Sequence, residues 1–183
     1  WLAKSGVVGY ILAGVSVVTL AVFLERAFIL HLERRRLSRG MGMMKDISDA
    51  IRENRGASPD RLSELVSLKV ENAVEQLSSR IAFIRLVFTI SPLLGLLGTV
   101  LGMIQAFRQV AEAGGAVKPA VLASGIWVAL LTTAEGLIVA IAAFFMYHYL
   151  QYLVVAMGKT MTRQAEAEMI EYGHGQKTPQ AAV

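Results

Sequence analysis

Residues 86–107 read LVFTISPLLGLLGTVLGMIQAF, from Leu86 to Phe107, without one ionisable side chain. A helix rises ~1.5 Å per residue, so this stretch is long enough to cross the ~30 Å hydrocarbon core of a bilayer. It contains Pro92 and three glycines, Gly95, Gly98 and Gly102, which a helix in water would find costly. In lipid they are tolerated, because hydrogen bonding within a helix bundle compensates. Two more windows of the same kind flank it. Residues 5–24 hold no charge, and residues 120–147 hold one, Glu135.

Composition points the same way. The chain is 55% hydrophobic and 17% charged, far more apolar than a domain that must keep its surface in water. The charge is concentrated in residues 31–85 and 159–177. Because the basic residues flank apolar spans and form no separate basic domain, orientation in a membrane explains them and nucleic-acid binding does not. With no cysteine, disulfides and thiolate chemistry are excluded. The chain starts at Trp1; its first apolar stretch is too long for the core of a signal peptide and is expected to be retained.

The expected fold is all-α: a polytopic membrane protein with three transmembrane helices and helical cytoplasmic extensions. Residues 1–30 form the first transmembrane helix, residues 31–85 a cytoplasmic helical segment and residues 86–108 the second span. Residues 109–119 form a short periplasmic connection broken by Gly114, Gly115 and Pro119, residues 120–150 the third span, and residues 151–183 a cytoplasmic helix and tail. Orientation follows from the count of basic residues. Residues 31–85 hold eleven Lys and Arg, whereas the second connection has Arg108 and Lys118. The positive-inside rule places the first group in the cytoplasm, with Arg34, Arg35, Arg36 and Arg39 as anchors and the N-terminus outside. Within that segment Leu62, Leu65, Val66, Leu68, Val70, Val74, Leu77 and Ile81 recur largely at helical spacing and predict one amphipathic helix. Ser58 is a candidate cap for it, with Pro59 at its first position. Tyr147, Tyr149 and Tyr152 lie where an interfacial aromatic belt belongs.

Gly95, Gly98 and Gly102 fall three and four residues apart, so they flatten one helix face, and close packing follows, either within the chain or between subunits; since three small residues in register are of little use facing lipid, they are expected at interfaces between identical subunits. Thr99 on the same helix can return its hydroxyl to a carbonyl one turn earlier. Glu135 is different in kind: an ionisable group inside a span is expensive and marks a function by default. No serine nucleophile elbow, His-Glu-x-x-His pair or phosphate-cradling glycine loop is present, and His31, His148 and His174 are dispersed. No catalytic residue, metal or cofactor is expected.

The run Ser91-Pro92-Leu93-Leu94-Gly95-Leu96-Leu97-Gly98-Thr99-Val100-Leu101-Gly102 closely resembles the signature of the MotA/TolQ/ExbB proton-channel family, in its ExbB/TolQ branch. Glu25-Arg26, Gly125-Ile126, Ala129-Leu130, Thr132-Thr133-Ala134 and Gly136-Leu137 resemble that branch too. The resemblance implies a homo-oligomeric ring, a pentamer, around the helices of a dimeric one-span partner like ExbD or TolR, which supplies a membrane aspartate. It further implies coupling to a TonB- or TolA-like protein, in an inner membrane, with ion flow driving the motion. By resemblance, Thr99 and Thr133 border the ion route. The glutamate typical of the third span lies just after the Gly-Ile pair, where this chain has Trp127-Val128. Glu135 follows Val128 by seven residues, ~700° of helix rotation, so it points only ~20° away. Ser124, Thr132 and Glu135 then form a polar stripe that favours a conducting channel over a non-conducting scaffold. A MotA-like flagellar stator is disfavoured, since that branch has four spans and a larger cytoplasmic segment.

Overall fold

The computed structural model describes residues 6–54, 56–112 and 119–175, and among them there are helices and short connections but no strand. Five helices follow one another: α1 Gly6–Leu37, α2 Met43–Glu53, α3 Pro59–Ser78, α4 Ile81–Glu112 and α5 Pro119–Gly175. Three of them are long and apolar enough to cross a membrane, over Val7–Leu37, Ile81–Glu112 and Leu122–Glu171. Their most apolar windows are only 22, 22 and 28% buried. Most of that apolar surface therefore needs a second apolar medium, lipid or another chain, to leave water. The expected all-helical, three-span class is what the chain adopts. Gly114, Gly115 and the tail beyond Gly175 lie outside the described residues.

The segment between the first two spans differs from the single amphipathic helix expected there. After Arg34, Arg35 and Arg36 oppose the negative end of the α1 dipole, the chain turns through Gly40 and Gly42, with φ of 64° and 67°. Residues with a Cβ rarely adopt that conformation. Helix α2 follows, burying Met44, Ile47, Ala50 and Ile51 on one face. Asn54 closes it by donating from Nδ2 to the Ala50 carbonyl at 2.9 Å. Ser58 stands at the N-cap of α3 in extended conformation with Pro59 behind it, but its side chain makes no cap bond. Helix α3 ends at Ser78, and Ile81, expected to continue it, opens α4. At the break the Ser78 and Ser79 hydroxyls donate to the Glu75 and Gln76 carbonyls three residues back, at 3.0 and 3.1 Å, a local bonding that Ser offers as an alternative to the helical amides.

Contacts divide the chain into two units. The first comprises Trp1–Glu25 and Ile81–His148 and holds the apolar parts of α1, α4 and α5. On its α4 face Ile84, Val87, Ser91, Gly95, Gly98 and Ala106 are buried. Phe88 meets Phe144 edge-on at 5.7 Å and Tyr147 at 5.5 Å. The second unit comprises Arg26–Arg80 and Tyr149–Val183. There Val66, Val70, Ala73 and Leu77 of α3 and Leu150, Val154, Met157, Met161 and Ala165 of α5 are buried. A Cβ on Gly158 would lie 2.9 Å from Val74 Cγ2, so α3 and α5 meet closely there. Glu168 accepts from Ser48 Oγ at 2.7 Å and faces Arg52 at 3.7 Å, tying α2 to the end of α5. Arg34, Arg35, Arg36 and Arg39 are exposed; Arg36 pairs with Glu33 at 2.9 Å.

Candidate ion-pathway site

Small residues set the contact between α4 and α5. A Cβ on Gly95 would lie 3.1 Å from Thr133 Cα, and one on Gly98 would lie 2.9 Å from Thr132 Cβ while overlapping its methyl group. One on Gly102 would stand 2.9 Å from Ala129 Cβ. On the other helix, a Cβ on Gly125 would meet Ala106 Cβ at 2.6 Å, and one on Gly136 the Ser91 carbonyl at 2.6 Å and Gly95 Cα at 2.9 Å. The result is an antiparallel ladder: Gly95 beside Gly136 and Thr133, Gly98 against Thr132, Gly102 against Ala129, Ala106 against Gly125. Each rung has at least one glycine, and the backbones approach as closely as small-residue packing in membranes allows. The three α4 glycines thus face α5 of their own chain, and the expected place for them at subunit interfaces is corrected: Thr133, Thr132 and Ala129 fill the space a neighbour would need.

Close approach brings side-chain hydroxyls of one helix to carbonyls of the other. Thr99 and Thr133 are hydrogen-bonded to each other through their Oγ1 atoms. Thr133 Oγ1 donates to the Gly95 carbonyl at 3.0 Å. Thr99 Oγ1 lies 3.3 Å from the same oxygen and 3.4 Å from the Ala129 carbonyl. Each hydroxyl brings one proton and two lone pairs, and each carbonyl two lone pairs. Acceptors outnumber donors, which suits a hydronium or another small hard cation.

Thr99 also stands at one end of an apolar groove of about 620 Å³ along α4, lined by Val100, Met103, Ile104 and Phe107 and bounded by Arg108 and Ala111. Arg108 pairs with Glu112 at 2.7 Å.

The structure brings together Thr99, Thr133 and Thr132, with Gly95, Gly98 and Gly102. Pro92 lies inside α4, one turn before Gly95. Burial separates Thr132 from the rest of the stripe. It is 1% exposed, its methyl lies against Gly98, and its hydroxyl donates to the Val128 carbonyl at 2.9 Å. Ser124 is exposed, while Val128 and Glu135 are part-exposed on the flank of the α4-facing side. Two participants were missed in the sequence: the carbonyls of Gly95 and Ala129. Their signal was the run of small residues Gly125, Ala129, Thr132 and Gly136, which complements the α4 glycines at the same spacing.

Comparison with known proteins identifies similar chains. The biopolymer transport protein exbB1 of Vibrio cholerae is 52% identical over 68 residues, covering 37% of this chain and 30% of the relative. The Tol-Pal system protein TolQ of Haemophilus influenzae is 38% identical over 92 residues, 50% of this chain and 40% of that protein. The biopolymer transport protein ExbB of Salmonella typhimurium is 30% identical over 176 residues, 79% of this chain and 71% of the relative. The chain therefore spans well under half the length of the first two and more of the third. A family profile matches residues 31–163, which include α4, most of α5 and every residue of the hydroxyl cluster, and the chain belongs to the MotA/TolQ/ExbB proton channel family.

Proposed function

We propose that this chain is the channel subunit of a bacterial inner-membrane motor. It uses the proton or sodium motive force to energise an envelope process such as TonB-dependent import or Tol-type envelope maintenance. The observation that carries this reading is the Thr99–Thr133 hydroxyl pair, set with two carbonyls between apolar helices. Polar groups at that depth are costly and are expected on ion routes. One charge crossing ~100 mV releases ~2.3 kcal/mol, enough to bias a conformational step.

Several copies, five in this reading, form a ring around a dimeric one-span partner of the ExbD or TolR type. Exposed apolar side chains on α4, among them Leu93, Leu97 and Ile104, support neighbours of that kind. The partner's membrane carboxylate carries the ion past Thr99 and Thr133, and the groove that ends on Thr99 gives its helix a place to lie. Glu135, Ser124 and Thr132 shape the electrostatics of the route, with Glu135 standing in for the glutamate absent at Val128. A TonB- or TolA-like protein receives the motion. The N-terminus lies in the periplasm and the C-terminus in the cytoplasm, supported by the eleven basic residues between positions 31 and 85.

The test is proton or sodium flux into vesicles containing this chain and its one-span partner. Glu135→Gln keeps size and hydrogen bonding but fixes the charge at zero. It should abolish energised flux while the oligomer and its partner stay bound, and Val128→Glu with Glu135→Ala should restore part of it. Absence of flux from the unsubstituted complex would favour a non-conducting scaffold. Full flux in Glu135→Gln would remove that residue from the mechanism.

A further inference from the structure

Among the buried hydroxyls of the apolar unit, Ser91 is set apart by lacking a partner. Thr19, Thr89 and Thr132 each return their Oγ1 proton to the carbonyl four residues earlier, at 2.7, 2.9 and 2.9 Å. That is the ordinary way a helix in lipid satisfies a hydroxyl. Ser91 is 1% exposed, and its Oγ is fully enclosed without a hydrogen-bond partner among the described residues. The next residue is Pro92, inside α4. Proline has no N–H, so the carbonyl of Phe88, four residues before it, loses the amide donor that a regular helix would supply from position 92. A donor without an acceptor and an acceptor without its helical donor thus stand within one turn of α4. Both are close to where Gly136, the residue after Glu135, meets the Ser91 carbonyl and Gly95.

We propose that Ser91 Oγ and the Phe88 carbonyl hold an exchangeable water between α4 and α5 at the proline. The water satisfies both groups, as buried waters do where protein atoms fail to pair. It also explains why Ser91 does not take the one-turn bond its neighbours make: its proton is turned off its own helix. The position lies on the same α4 face as Gly95 and Gly98, two turns before Thr99. Resting on the channel reading above, it extends the oxygen-lined route from Thr99 and Thr133 towards the level of Glu135. The ligand class is a single water, or a hydronium in transit through it.

The chain has no cysteine, so single thiols can be read without background. In membranes holding the full-length protein, Ser91→Cys is compared with Val87→Cys, one turn earlier on the same face and 5% exposed. The probe is silver ion, which enters only where water does. Ser91→Cys should react about tenfold faster than Val87→Cys, since thiol reactivity at equal burial follows solvent access. Equal, slow reaction at both would overturn the proposal. If Ser91→Cys does not accumulate, amide exchange at residues 93–95 is compared between Ser91→Ala and the unsubstituted protein. Loss of the water should slow exchange there, and unchanged exchange would overturn the site. Neither readout needs motor activity: silver access without ion flux would leave the water site and remove the channel, and flux without silver access the reverse.

Discussion

Gly98→Ala is the sharpest probe of the α4–α5 contact. The added Cβ would overlap the Thr132 methyl group and lie 2.9 Å from its Cβ. Thr132 cannot easily turn aside, because it is β-branched, 1% exposed and tethered through Oγ1 to the Val128 carbonyl. Overpacking of this kind costs about 1–3 kcal/mol. Against it stands the gain of about 1 kcal/mol from replacing glycine inside a helix. Gly14→Ala separates the two, since a Cβ on Gly14 meets nothing within 4 Å and takes the helix gain alone. The stability difference between the variants should therefore equal the steric cost, about 1–3 kcal/mol, read by reversible unfolding in mixed micelles. Thr132→Ser removes the overlapping methyl and keeps the hydroxyl, so in the Gly98→Ala background it should recover part of that loss. Equal stability of Gly98→Ala and Gly14→Ala, or no recovery with Thr132→Ser, would refute the packing described here.

Thr99→Val keeps the shape of the side chain and removes its hydroxyl. It should cost only about 0.6 kcal/mol of stability but slow ion flux by about tenfold or more, a barrier change of at least ~1.4 kcal/mol, whereas Thr99→Ser should conduct. In the second unit, Glu168→Gln should lose about 0.5 kcal/mol by thermal unfolding, because Arg52 is 58% exposed and solvent screens the pair. Glu168→Ala should lose more, about 1–2 kcal/mol, since the part-buried Ser48 hydroxyl then lacks its acceptor. For orientation, Lys45→Cys should resist an impermeant thiol reagent in intact spheroplasts and Gly115→Cys should react; the opposite pattern would invert the topology.

Much of the fold was legible because lipid leaves few options. Three apolar windows of spanning length, two of them uncharged and the third holding only Glu135, satisfy their backbones in lipid as helices, and they lie in α1, α4 and α5. The segment between the first two was harder, since there tertiary contacts decide. Helix α2 was passed over although Met44, Ile47 and Ile51 follow helical spacing; Gly40 and Gly42 before it gave the matching signal of a reversal. The break at Ser79 and Arg80 carries neither glycine nor proline, and the serines beside it are ordinary helix-surface residues in the sequence. At the site, Thr99 and Thr133 could be nominated by resemblance, but their mutual hydrogen bond is a property of two helices 34 positions apart. The partner of the glycine face was likewise open, because a flat face fits a helix of its own chain or of a neighbour equally well.

The ladder between α4 and α5 works as a vernier. Moving one helix along the other by a turn, ~5.4 Å, separates Thr99 from Thr133 and takes Thr133 off the Gly95 carbonyl. In one sense of travel it also sets Ala106 against Ala129, two methyl groups on a rung built for one. The hairpin's setting in the structure is marked by its hydroxyls. Under the motor reading proposed above, such a pair acts as a stiff pawl, and the play that would convert ion flow into movement comes from outside this contact.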